Sequence, residues 1–348
     1  MIDGSVMAVK LRQMVTLAVL LTLTLTLPTC LRERLAPPAE QAYKLEPGPF
    51  TVRQETYTWR DAERQRYLPV RIYRPAGNDG PVPPIILSPG FGISRDHYTY
   101  LGNQWASYGY LVVCLSHADA DETVWESFDD LHALFAQTRD DPESRLQRSQ
   151  DVSFAIDRLA ADPLLGGLVD PERTGVAGHS LGAFTALSAI GMRSDLPDDP
   201  NTPTRDPRIK AAVAFSPTGT GVWGLTEDSW AALDAPCMTF IGSLDFDFVI
   251  TTDPRQRRVV FERSAGPDQY LVTLGGALHT AFDDFVLFSS EQMYYSPHHD
   301  YIRMATTAFF DAYLRADAEA RDWLRERALE TYTHGRCRIE YKNITVAE

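Results

Sequence analysis

The sequence predicts an α/β protein with a mostly parallel central sheet and helices on both faces. Three observations predict it. Short apolar runs recur along the chain and lead into turns that carry polar or glycine residues: 84–87 into Ser88-Pro89-Gly90-Phe91-Gly92, 238–241 into Gly242-Ser243-Leu244-Asp245, and 270–274 into Gly275-Gly276-Ala277-Leu278-His279. Longer segments with helical spacing stand between such runs, as at 142–161, where Val152, Phe154, Ala155, Ile156 and Leu159 face a core. Finally, the short strand 173–177 turns sharply at Gly178-His179-Ser180-Leu181-Gly182 into the helix-forming stretch 183–190.

The elements follow in order. Residues 51–59 and 68–75 read as early antiparallel strands, and 84–87 as a buried strand. An amphipathic helix is expected over 96–109 and a buried strand over 110–115. After the helix at 142–161 come the strand and helix around Ser180, then strands at 209–215, 238–241 and 270–274. Helices at 297–316 and 319–329 close the fold. Two intervening segments carry many large apolar groups: 117–141, with Trp125, Phe128, Leu131, Leu134 and Phe135, and 218–233, with Trp223, Leu225 and Trp230. They either line an acyl or aromatic pocket or pack against the body of the domain.

Gly-x-Ser-x-Gly on a strand–turn–helix corner has a mechanical meaning. Small residues at 178 and 182 let the chain turn and pack closely. The turn lifts the Ser180 hydroxyl out of the sheet, and amides at the start of the next helix face developing negative charge. A serine nucleophile needs a base, and the base an orienting acid. With this corner the expected chain order is Ser, then Asp or Glu, then His. Asp245 ends the turn after one buried strand and His279 the turn after the next, so both fall on the sheet edge that holds Ser180. Asp247 is the alternative acid. Asp228 and Asp234 precede their strand, and His298, His299 and His334 read as surface residues. The oxyanion hole is expected from the N–H of Leu181 and from that of Phe91, whose flanking glycines let the loop curl and whose ring walls the pocket.

These pieces resemble the α/β-hydrolase superfamily, and within it the dienelactone-hydrolase-like serine esterases, which include platelet-activating-factor acetylhydrolases and cutinase-like polyesterases. The matching segments are 68–75, 87–92, 105–113, 178–182, 242–245, 275–279 and 308–314, spread over roughly residues 50 to 330. The resemblance implies a serine carboxylic-ester hydrolase acting on neutral short-to-medium or aromatic esters, with Ser180, Asp245 and His279 catalytic and no cofactor. The rivals are a lipase or peptidase with the same residues, and an exported binding protein that has lost turnover. Two departures shape the match. Ser180 replaces the cysteine of true dienelactone hydrolases. The acetylhydrolases place their acid after the preceding strand, where this chain has Ser216-Pro217-Thr218 and no acid.

Composition fits one large enzyme domain, 51–331, followed by a C-terminal tail, 332–348. Lys plus Arg number 33 against 47 acids, a net charge of −14. That charge repels phosphate backbones and argues against nucleic acid as a partner. No phosphate-binding loop occurs, and Gly90-x-Gly92 lacks the rest of a dinucleotide fingerprint. His117-Ala118-Asp119 and His298-His299-Asp300 read as solvated clusters rather than metal ligands, and the acidic 195–206 stretch as a solvated connector. Lys10 and Arg12 precede an uncharged, leucine-rich run from 13 to 31, the pattern of a secretory signal. Leu27-Pro28-Thr29-Cys30 loosely resembles a lipoprotein box, so residues 1–34 are expected to direct export, as a cleaved signal, a lipid-attached segment at Cys30 or a retained membrane anchor. Residues 35–50 read as a tether. Cys114 reads as a core residue, and a Cys237–Cys337 bridge is open to an exported chain.

Overall fold

The computed structural model describes residues 42–78, 80–120, 133, 136, 141–196, 204–246, 253–284 and 297–343. Its strands join in one nine-stranded sheet: β1 (Val52–Asp61), β2 (Arg66–Pro75), β3 (Pro84–Ser88), β4 (Leu111–Leu115), β5 (Thr174–His179), β6 (Ile209–Phe215), β7 (Cys237–Gly242), β8 (Gln269–Leu274) and β9 (Cys337–Lys342). Their spatial order is β1-β2-β4-β3-β5-β6-β7-β8-β9. β1, β2 and β4 pair antiparallel, β4 through β8 pair in parallel, and β9 returns antiparallel on β8.

Helices among the described residues include α1 (Thr99–Ser107), α2 (Pro142–Ala161), α3 (Leu181–Ser188), the short α4 (Val259–Arg263), α5 (Pro297–Leu314), α6 (Ala318–Arg325) and α7 (Ala328–Tyr332). β3, β4, β5 and β7 are buried at every position. That is why they read as continuous apolar runs: both faces are covered. Alternation survives in which core each residue joins. Ile85, Leu87, Val112 and Cys114 pack with Trp105 of α1 and Phe309 of α5. Ile86, Leu111, Val113 and Leu115 pack with Ile156 of α2 and Phe184 of α3. Helices therefore flank the sheet on both sides, as expected of an α/β-hydrolase fold.

Several boundaries differ from the sequence reading. α1 begins at Thr99 rather than 96, because its first amides are capped from far away. Asp284 accepts from the Thr99 N–H and hydroxyl at 2.5 and 2.6 Å. The helix expected over 319–329 breaks in two at Arg327, whose φ of 60° is left-handed. Residues 42–50, expected as a tether, pack on the body. Tyr43 and Lys44 donate to the buried Asp311 at 2.9 and 2.5 Å, and the Gly48 N–H donates to Ser107 Oγ. The stretch expected as a tail contributes β9, paired residue for residue with β8 from Cys337↔Leu274 to Lys342↔Gln269. Cys237 pairs with Gln269 at the other end of β8. Five residues of strand, roughly 16 Å, separate the two positions, too far for the Cys237–Cys337 bridge, and both thiols are free and buried.

Trp223, Leu225 and Trp230 join the core beside α3. The ring of Trp223 meets Phe184 edge-on at 5.2 Å. Of the two uses foreseen for the 218–233 segment, packing is the one observed for these three side chains. The apolar residues named in 117–141 lie outside the described residues.

Candidate active site

The turn after β5 places Ser180 at a φ of 56° with ψ −116°, a strained setting for a residue with a side chain. Contacts on both sides impose it. A Cβ at Gly178 would meet the Gly182 carbonyl at 2.0 Å, and one at Gly182 would meet the Ser88 carbonyl at the same distance. The Ser180 N–H is meanwhile held by the Phe215 carbonyl at 2.9 Å. The hydroxyl emerges half-buried at the head of α3, whose first amide, that of Leu181, has no intrahelical acceptor.

The turns after β7 and β8 are tied together. The Ser243 N–H donates to the Leu274 carbonyl at 2.9 Å, the Leu244 N–H to the Ala277 carbonyl at 3.0 Å, and the Gly276 N–H to Ser243 Oγ at 2.8 Å. This lattice brings Asp245 and His279 side by side. His279 Nδ1 lies 2.8 Å from Asp245 Oδ1, and its Nε2 lies 3.1 Å from Ser180 Oγ. With a carboxylate on Nδ1, the imidazole carries its proton there and leaves the Nε2 lone pair for the serine hydroxyl. Asp247 lies outside the described residues. Asp234 pairs with Arg205.

Three groups to which the sequence reading gave no role surround the pair. Ser216, at the end of β6, places its hydroxyl 2.8 Å from His279 Nδ1. Arg257 is fully buried, with Nε 3.2 Å from Asp245 Oδ1 and Nη1 donating to the carbonyls of Ser216 and Pro217 at 3.1 and 3.0 Å. His179 Nε2 lies 3.0 Å from the His279 carbonyl, and its Nδ1 lies 3.3 Å from Asp283. Burial alone would raise the Asp245 carboxyl. The hydrogen bond to His279 and the charges of His279 and Arg257 outweigh it and hold the group down at about 2. Ser216 had one sequence signal, its place after a buried strand; Arg257 and His179 had none of their own.

The oxyanion candidates lie on the same edge. Ser88 of β3 stands opposite Gly178 of β5, so the 89–92 loop runs beside the Ser180 turn. Phe91 is 7 % exposed and Leu181 1 %. Of the histidines set aside as surface residues, His334 is exposed as expected, while the other two have structural partners. His298 Nε2 lies 3.0 Å from the Gly275 carbonyl, and His299 stacks on Tyr100 at 3.8 Å. His117 is buried against Asp151 and Asp119 pairs with Arg148, so this cluster is not solvated. Among the described residues no group of three or more His, Cys, Asp or Glu is arranged to hold a metal ion. Nor is any helix there long and apolar enough to cross a membrane.

No family model matches the chain. Individual proteins do. It is 25 % identical over 251 residues to cutinase est2 of Thermobifida alba, covering 72 % of this chain and 69 % of the relative. It is 24 % identical over 248 residues to a bis(hydroxyethyl) terephthalate hydrolase of Streptomyces coelicolor, covering 71 % and 66 %. A lipase 1 of a Moraxella species matches at 24 % over 147 residues, 42 % of this chain and 40 % of that one. With its nine-stranded sheet flanked by helices and these similarities, the chain has an α/β-hydrolase fold and is similar to the cutinases.

Proposed function

We propose that this chain is a serine carboxylic-ester hydrolase working through Ser180, His279 and Asp245 and an acyl-enzyme intermediate. The observation that carries the proposal is the continuous hydrogen-bonded line from Asp245 through His279 to a half-exposed Ser180 hydroxyl. The similarities to proteins named as cutinases, a terephthalate-ester hydrolase and a lipase support the reaction class.

The substrate carbonyl rests against the N–H groups of Leu181 and Phe91. His279 Nε2 takes the Ser180 proton as Oγ attacks, and Asp245 stabilises the imidazolium that forms. The two amides stabilise the oxyanion by about 3 kcal/mol each. The alcohol leaves with the proton from His279, and water then repeats the sequence on the acyl-enzyme. No cofactor enters these steps. Leu244, Phe246 and Leu278 are 45, 48 and 50 % exposed and flank Asp245 and His279 in sequence. An apolar border of this kind suits neutral short-to-medium or aromatic esters. We also propose that residues 1–34 direct export, with membrane attachment through Cys30 as one route. Cell fractionation and the mass of the mature N-terminus test this.

A fluorophosphonate probe labels the wild type in this reading and fails on Ser180→Ala. Equal labelling of both refutes the assignment. A panel of p-nitrophenyl esters of rising acyl length then shows falling kcat/KM beyond medium chains. An optimum at long chains favours a lipase, and cleavage of peptide anilides a peptidase.

A further inference from the structure

A second serine–histidine–aspartate line lies beside the first and is buried. Ser88 closes β3 and opens the loop that leads to Phe91. Its hydroxyl is 2.9 Å from His117 Nε2, and His117 Nδ1 is 2.8 Å from Asp151 Oδ2. Ser88 and Asp151 are fully buried and His117 nearly so. Arg64 and Arg66 balance the Asp151 charge at 2.8 and 3.1 Å. The cavity beside His117 is about 10 Å³, room for about one water and not for an ester. Burial and the nearby Arg148 cation push His117 down against the pull of Asp151. The imidazole is therefore neutral, with its N–H on Asp151 and its lone pair on the Ser88 hydroxyl. The arrangement matches that at Ser180, but here it can only hold a strand end in place.

Arg148 of α2 grips the next two residues. It is 1 % exposed. Nη1 donates to the Pro89 carbonyl at 2.9 Å and Nη2 to the Gly90 carbonyl at 3.2 Å. Asp119 fixes the guanidinium in turn, accepting from Nη2 at 2.7 Å and from Nε at 3.1 Å. The Gly90 N–H is held by the Tyr98 hydroxyl at 3.0 Å. The Gly90 carbonyl and the Phe91 N–H belong to one planar peptide unit, which is trans here, so the two point in opposite directions. Whatever fixes the carbonyl fixes the direction of that N–H.

We propose that Arg148 is a positioning residue for the oxyanion hole: by holding the Pro89 and Gly90 carbonyls it orients the Phe91 amide, with the Ser88–His117–Asp151 line anchoring the strand end behind it. The inference rests on the reading of Phe91 as an oxyanion donor in an ester hydrolase. A preorganised donor acts on the transition state more than on the bound ester, so its misalignment lowers kcat and spares KM.

The test compares wild type, Ser180→Ala, Arg148→Lys and Arg148→Met on p-nitrophenyl butyrate, with near-UV circular dichroism and urea midpoints measured in parallel. Arg148→Met lowers kcat by about 30- to 100-fold, short of the full loss of a donor, with KM within twofold. Arg148→Lys, which keeps a cation and one carbonyl contact, falls between it and the wild type. The fluorophosphonate labelling rate follows the same order. Unchanged kcat in a folded Arg148→Met protein overturns the inference, as does a rise in KM alone. If Arg148→Met does not fold, Ser88→Ala decides. It removes one hydroxyl and lowers kcat by roughly threefold or more at constant KM; an unchanged kcat overturns the inference. Absence of Ser180-dependent turnover in the wild type refutes the hydrolase reading itself and is seen before any Arg148 variant is compared.

Discussion

Replacing Gly182 with alanine probes how the Ser180 turn and the 89–92 loop share space. A Cβ at 182 would sit 2.0 Å from the Ser88 carbonyl oxygen and 2.6 Å from that of Pro89, where ordinary contact begins at 3.4 Å. Both obstacles are main chain, so no side chain can swing aside, and the two segments must separate by about 1.4 Å. Neither yields readily. Arg148 holds the Pro89 carbonyl from one side, and the Ser180 N–H is fixed to Phe215 on the other. Overpacking of a tight interior costs about 1–3 kcal/mol, and backbone against backbone belongs at the upper end. A displacement of about 1 Å between nucleophile and oxyanion donors costs on the order of 100-fold in rate. The assay pairs urea unfolding by circular dichroism, at constant m-value, with kcat on a short p-nitrophenyl ester under fully folded conditions. Gly167→Ala is the control, because no atom lies within 4 Å of its Cβ. That variant holds wild-type activity and stability, or gains up to about 1 kcal/mol from a stiffer unfolded chain. Wild-type midpoint and kcat in Gly182→Ala would show that the turn does not need the close approach and would refute the reasoning.

Four further outcomes follow from the same geometry. Asp245 titrates at about 2 in the folded protein against a usual 3.8, so its ionised form stabilises the fold above about pH 4 and that contribution, about 2 kcal/mol, is lost as pH falls through 2; urea midpoints of wild type and Asp245→Asn should converge over that range, and a constant gap between them refutes the linkage. Asp245→Asn also lowers kcat at neutral pH by about 10⁴-fold through the wrong imidazole tautomer, read on the same ester. Arg257→Met leaves a buried carboxylate without its cation and unbinds the carbonyls of Ser216 and Pro217, so it destabilises by about 3–5 kcal/mol in chemical denaturation; a loss under 1 kcal/mol would show that the pair is not coupled. Cys237 and Cys337 are buried and their thiols pushed up to about 12, so Ellman's reagent labels neither until urea opens the sheet, and prompt labelling in the native state contradicts their placement.

The parts of the site that the sequence displayed are those with local causes. Gly178 and Gly182 announce a sharp turn because the backbone contacts that demand them lie within a few residues or on the adjacent strand. Asp245 and His279 stand out because each ends the turn that follows a short apolar strand, and adjacent parallel strands deliver their C-terminal ends to one edge. Fully buried strands flanked by glycine turns carry the sheet in the same way, and both faces of that sheet are covered by helices whose apolar spacing is visible in the chain.

What the tertiary structure alone decided are the contacts between segments with no shared pattern. Arg257 meets Asp245 from a turn 12 residues on, Asp284 caps a helix 185 residues before it, and Arg148 reaches the 89–90 carbonyls from another element. An arginine or aspartate on a helix reads as a solvated group until the packing buries it, because charge carries no period that marks its partner. The ninth strand was hidden for a related reason. Cys337–Lys342 buries only Cys337 and Ile339 and is largely polar, so its place at the sheet edge depends on backbone pairing with β8 rather than on apolar content. Trp223 and Trp230 advertised burial but not its purpose, since the same apolar surface suits a core or a pocket and only the neighbours on α3 distinguish them.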